Sequence, residues 1–206
     1  MKRKVLMSLV CCWVTVFLTV SIVSAENPKG PSGPAGKSNI GRLYLYEKIE
    51  PSQPYPAGTP WEIVEDGAWA KMKYRRSGTS FHFVFNGKKL IPGEEYTLIY
   101  YPDPWPGNGL ICLGTDVANG GGNVHIKEAT LVDSDLPAES DLNSPANPLH
   151  LDCMANSTCI EGAKIWLVLS SDVDCFGRMM IGWNPLEYLF EDVGIFFDYM
   201  EPVLPE

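Results

Sequence analysis

The chain reads as an all-β protein, an antiparallel β-sandwich with one short helical turn. Three observations predict this. From about residue 40 onward the apolar residues recur with period two in short runs, the pattern of strands that bury one face. Helical 3.6-residue spacing is scarce. The 206 residues include 19 Gly and 17 Pro, many of them in turn segments between the runs.

The N-terminus comes first. Met1-Lys2-Arg3-Lys4 is a basic opening, residues 5–23 are almost wholly apolar, and Val23-Ser24-Ala25 offers a cleavage site, so residues 1–25 read as a signal peptide. The apolar run of about 19 residues is also long enough to span a bilayer, and an uncleaved anchor is the second reading. A membrane partner is expected only in that second case. Cys11 and Cys12 lie inside the run behind Val10, which is too large for a lipidation site, and leave with the leader. Residues 26–39 contain no large apolar side chain and mix Pro with Gly, so they read as a flexible linker. Residues 40–206 then form a single β-sandwich domain.

The strands follow in order. Leu43, Leu45 and Glu47 alternate with Tyr44 and Tyr46. Ala68, Ala70, Met72 and Tyr74 alternate with Trp69, Lys71, Lys73 and Arg75, and Phe81, Phe83 and Phe85 alternate with His82 and Val84. Each is a strand with one face inward. Further strands are expected near residues 96–101, 110–113, 124–131, 164–170 and 194–199, and about eight strands in roughly 160 residues make a sandwich. Asn184-Pro185-Leu186-Glu187 places an N-cap residue, Pro at the first helical position and Glu at the third, so one helical turn is expected to about Phe190.

Residues 90–97 (LIPGEEYT) resemble the tyrosine-corner segment of fibronectin type III and immunoglobulin-like domains. The resemblance implies an immunoglobulin-like Greek-key sandwich, with Tyr96 hydrogen-bonding back to the corner that Pro92 and Gly93 shape. Longer stretches, GRLYLYEK from Gly41, YPDPWP from Tyr101, GAKIWLVLSSDVDC from Gly162 and GWNP from Gly182, are similar to a set of uncharacterised exported proteins of archaea and bacteria. That likeness spans roughly residues 40–199 and implies an extracellular location. It carries no catalytic residues.

Beyond the leader the chain keeps Cys112, Cys153, Cys159 and Cys175, which outside the cytosol read as two disulfides with three pairings open. Cys153–Cys159 with Cys112–Cys175 is the expected set, one pair closing a short polar loop and the other tying two distant apolar segments. A zinc site of four thiolates is the competing reading, but no C-x2-C spacing occurs. Asn156-Ser157-Thr158 is a glycosylation sequon inside the short loop, which makes Asn156 a candidate acceptor.

The 16 basic and 25 acidic residues give a net charge of −9, and loss of Lys2, Arg3 and Lys4 with the leader makes the remainder more acidic still. Nucleic acid is therefore not an expected partner, and an acidic exterior discourages binding to anionic lipid. The common catalytic signatures are absent: there is no G-x-S-x-G, no H-E-x-x-H and no phosphate-binding or dinucleotide Gly-rich loop.

Three groups of residues remain as candidate sites. Asp133, Asp135, Asp141 and Asn143 offer the oxygen ligands that calcium takes, so a structural calcium bracing that loop is one reading and turn-capping carboxylates are the other. Asp172 and Asp174 carry the same two readings. His82, His125 and His150 are the three histidines, and the first two occupy outward strand positions from which they would have to converge to hold a metal. Tyr100, Tyr101 and Trp105 lie in or beside a Pro-pinned segment, where planar rings can stack on sugars, or else cover one end of the core. Trp61, Trp69, Trp166 and Trp183 sit in apolar or strand-like stretches and read as structural. The expectation is a secreted or cell-surface, non-enzymatic module with a structural, adhesive or binding role toward an extracellular glycan or envelope protein. A carbohydrate-binding module built around Trp105 comes second, and an extracellular hydrolase using carboxylates that leave no motif comes third.

Overall fold

The computed structural model describes residues 38–50, 61–137 and 162–202. Within them the alternating segments become strands: β1 (Ile40–Tyr46), β2 (Lys48–Ile49), β3 (Glu62–Ile63), β4 (Trp69–Arg75), β5 (Ser77–Gly78), β6 (Phe81–Lys88), β7 (Glu95–Tyr101), β8 (Ile111–Val117), β9 (Val124–Thr130), β10 (Lys164–Leu169), β11 (Val173–Asp174), β12 (Met179–Met180), β13 (Leu189–Glu191) and β14 (Asp198–Tyr199). Eight of them form one antiparallel sheet in the order β8-β7-β10-β13-β1-β4-β6-β9. The pairs β2–β3, β11–β12 and β5–β14 are short additions.

Side-chain alternation sorts the two faces. Leu43 and Leu45 of β1, Ala70 and Met72 of β4, and Phe81 and Phe85 of β6 are wholly buried. The register sets them side by side, Leu43 against Met72 and Met72 against Phe85, so one layer of the core crosses three strands. Gly41 lies opposite Tyr74, and a Cβ there would sit 2.3 Å from the tyrosine ring, so the glycine lets that ring lie across β1. Strands β7 and β10 are buried on both faces over most of their length, because loops cover their outer side.

The two end strands, β8 and β9, curl toward each other and nearly close the sheet into a barrel-like sandwich. The register of β7 with β8 passes from Leu98 opposite Gly114 to Ile99 opposite Cys112, which leaves Leu113 as a bulge. Its carbonyl accepts a hydrogen bond from Thr130 Oγ1 at 2.8 Å, and the His125 N–H donates to Asp116 Oδ2 at 2.7 Å. Side chains thus bridge the seam.

The corner before β7 has the expected contact: the Ile91 N–H donates to Tyr96 Oη at 3.2 Å, with Gly93 at φ 88° turning the chain. Cys112 is bonded to Cys175, as expected, tying β8 to the turn between β11 and β12 across 63 residues of sequence. Cys153, Cys159 and Asn156 lie outside the described residues, as do the signal-peptide residues and most of the linker.

Two segments differ from the sequence expectation. The helical turn is only a 3-10 helix at Pro185–Glu187, without a side-chain cap, because the Asn184 amide donates to Asp172 Oδ2 at 2.7 Å instead. Tyr188 is extended and leads straight into β13, a strand too short to show alternation. Residues 194–199 are not one strand: Ile195 bridges Ala163, Phe197 bridges Leu136, and Asp198–Tyr199 pairs with β5. Successive residues face different partners, so no single ladder extends.

Candidate functional site

The outer face of β10 and β13 supports a tiered aromatic cluster. Trp166 stacks on Tyr101 with ring centroids 3.9 Å apart and planes 13° from parallel, and Phe190 meets Trp166 edge-on at 5.2 Å. These three rings are buried. Above them Trp61 meets Phe190 edge-on at 4.9 Å, Trp183 lies 6.1 Å from both Trp61 and Trp166, and Trp105 meets Trp183 edge-on at 5.5 Å. Trp105 is 51% exposed and Trp183 39% exposed, so the upper tier faces water. Edge-to-face pairs of this kind add roughly 0.5–1.5 kcal/mol each beyond the area they bury, which holds the exposed rings in place.

The loops that carry those rings are anchored by hydrogen bonds. Gly107, at φ 77°, lies on the Tyr101 ring so closely that a Cβ would come within 2.5 Å of it. The Met180 N–H donates to the Pro106 carbonyl at 2.8 Å, and Arg178 donates from Nε to Leu110 O at 3.1 Å and from Nη2 to Gly109 O at 3.0 Å. The Cys112–Cys175 bond ties the same two loops covalently. On the Trp183 side, Asp172 is buried and accepts from Tyr188 Oη at 2.5 Å and from Asn184 Nδ2 at 2.7 Å, while its carbonyl accepts from the Gly182 N–H at 3.1 Å. Burial first, and then the bond to Asp172, push the Tyr188 phenol well above its ordinary range.

Among the sequence candidates for a ring platform, Tyr100 and Tyr101 are 1% and 3% exposed, and only Trp105 presents a face to solvent. Tyr101 acts from below, through Trp166. Trp183, which the sequence reading placed in the core, is its exposed neighbour; nothing in GWNP distinguishes an outward ring from an inward one.

The oxygen-rich residues serve the backbone. Asp135 Oδ1 accepts from the Tyr199 N–H at 2.6 Å, Asp133 is exposed, and Asp174 Oδ1 accepts from the Phe176 and Gly177 N–H groups at 3.0 and 2.8 Å. Asp141, Asn143 and His150 lie outside the described residues. Among the described residues no three His, Cys, Asp or Glu side chains gather closely enough to hold a metal. His82 and His125 do not converge: Asn86, four residues beyond His82 on β6, is the residue opposite His125, a separation of roughly 13 Å along the strands. Each has its own partner, Ser80 for His82 and Asn86 for His125.

One carboxyl group stands apart. Glu191 of β13 lies opposite Leu45, points into the interior, is 2% exposed and has no hydrogen-bond partner at Oε2. Burial pushes it up to about 8, against a hydrogen bond from its own backbone and the pull of Lys164 and Lys48, with Asp103 adding to the rise. Lys48 Nζ donates to the Glu191 carbonyl at 2.6 Å, and Lys164 is paired with Asp103.

Two shallow concavities, of about 400 and 180 Å³, are the best formed among the described residues. The larger lies beside the β8–β9 seam, between Asn86, Lys88, Asp116 and His125; the smaller adjoins Tyr96 and Tyr188. Neither is lined by Glu191, Asp103 or Trp105. No helix among the described residues is long and apolar enough to cross a membrane. No family model matches this chain, nor does any of the curated proteins or solved structures compared with it.

Proposed function

We propose that this chain is a secreted or cell-surface, non-enzymatic β-sandwich that acts by binding, with the Trp105–Trp183 pair as its contact surface. The observation that carries the reading is a pair of exposed tryptophans, Trp105 and Trp183, standing on buried rings and held by a disulfide and several backbone hydrogen bonds. Exposed aromatic surface costs solubility unless something uses it, and rigid rings lose little conformational entropy on binding. A disulfide is compatible with an extracellular protein. Carbohydrate is the ligand class favoured for this patch, because two rings near a right angle offer a face and an edge to the C–H surfaces of a pyranose chain. The hydrolase reading has one strongly perturbed carboxyl, Glu191, which is buried and lines neither concavity.

The test is a pull-down on insoluble neutral polysaccharides, cellulose, chitin and xylan, with the native chain and Trp105→Ala. Retention of the native chain on at least one matrix, reduced about tenfold or more in Trp105→Ala, is expected for a ring that supplies ~1.4 kcal/mol or more of binding. Equal retention of both proteins removes Trp105 from the contact surface.

A further inference from the structure

We propose that the outer face of β1, β4, β6 and β9 is a second surface, which docks an acidic polysaccharide. The face is built by alternation: residues whose neighbours fill the core point outward, and across these four strands the outward positions carry six cations and no carboxylate. The cations are Arg42, Lys71, Lys73, Arg75, Lys88 and Lys127. The chain as a whole is net −9, so its acidic character is not spread evenly over the surface. The ion pairs among the described residues are Lys89–Asp66 and Lys164–Asp103, and neither involves this face.

The register places like charges together. Arg42 is directly opposite Lys73, and the same row continues through Val84 to Lys127. Like charges opposite one another weaken a sheet, so this row works against folding and needs another reason to exist. Adjacent strands lie about 4.8 Å apart and successive outward rows about 6.8 Å apart, which spaces the cations like the charges of a polyanion lying flat on the sheet.

The remaining rows add what a sugar chain requires. The next row is Tyr44, Lys71, Asn86 and His125, and the one after it begins Tyr46, Trp69 and Lys88. Lys71 Nζ lies 5.4 Å from the Tyr44 ring centre and Lys88 Nζ 5.8 Å from that of Trp69, so cation and ring share each position. Uronic or sulfated sugars present an apolar C–H face and an acidic group on one unit, and both find partners here. Each ring is half-buried with a lysine beside it, so its exposed part gives a local C–H contact to one sugar unit rather than a fully open face on which nucleic-acid bases would stack. The larger concavity opens at this corner, lined by Asn86, Lys88 and His125 together with Asp116, which accepts from the His125 N–H, so a neutral substituent rather than an acidic one fits there.

The surface shares no residue with the Trp105–Trp183 patch, so the two proposals fail separately. Calorimetric titration of the full chain with polygalacturonate and heparin, with dextran and a 20-base-pair DNA duplex as comparisons, tests it at 50 and 200 mM NaCl. The expected result is binding to at least one acidic polysaccharide, none to dextran, and affinity that falls steeply with salt. Lys71→Gln/Lys73→Gln/Lys127→Gln removes three of the six cations, so binding at 50 mM should weaken by about tenfold or more and the salt slope should halve. Lys89→Gln, an exposed lysine off the face, should bind like the native chain. Because the triple variant relieves repulsion, its melting temperature should hold or rise. Absence of binding at 50 mM, an unaffected triple variant, or DNA binding as tight as polysaccharide binding would each overturn the assignment.

Discussion

The interior carboxyl of Glu191 predicts how the fold responds to pH. Its ordinary value is 4.5 and burial raises it to about 8, so between those limits the native state holds a proton that the unfolded chain has released. Stability therefore falls as pH rises, by about 1.4 kcal/mol per unit, for a total near 5 kcal/mol over the window. The loss begins near pH 4.5 and is complete above about pH 8. The charged groups near Glu191 are Lys48 after β1, Lys164 on β10 and Asp103 after β7, and their pull is already contained in that shift. Glu191→Gln copies the protonated carboxyl in shape and cannot ionise. Guanidinium unfolding of both proteins at half-unit steps from pH 4.5 to 8.5, in 0.3 M NaCl to screen surface charge, should show equal stability at the acid end. The variant should then gain steadily on the native chain, reaching several kcal/mol at pH 8.5. Glu62→Gln, at an exposed position, controls for the lost negative charge. A difference between Glu191→Gln and the native chain that stays flat across this range would falsify the placement of an isolated carboxyl inside the barrel.

Two further perturbations test the scaffold. Replacing Cys112 and Cys175 together with Ala opens a 63-residue loop and should cost about 4 kcal/mol, read as a shift in the guanidinium midpoint, while non-reduced peptide mapping of the native chain should recover the two cysteines linked. Tyr96→Phe removes the acceptor of the Ile91 N–H and should lower stability by about 1 kcal/mol with little effect on polysaccharide binding; an unchanged midpoint would mean that water replaces the phenol at no cost.

The strands were legible wherever one face is buried. Residues 43–45, 70–74 and 81–85 carry strict alternation because the sheet gives each alternate side chain a different solvent, and the structure places those residues as the pattern predicts. The Tyr96 corner and the Cys112–Cys175 pair were legible for a related reason, since each depends on a small set of residue types with few alternative uses. Illegible were β13, three residues long, and the split pairing of residues 194–199, because both depend on which distant strand lies alongside.

Local chemistry, read along the chain, dictates the β character, the inward faces and the cross-link, since period-two burial and thiol pairing need only residue identity and reach. Which rings and charges meet is a property of strand order: Trp105 and Trp183 are 78 positions apart in sequence and meet edge to face only in the folded chain. Lys73 faces Arg42 across one ladder, and Lys127 joins their row through β6. Glu191 enters the core because β13 is wedged between β10 and β1, and a three-residue strand carries no pattern that announces which of its side chains turns inward.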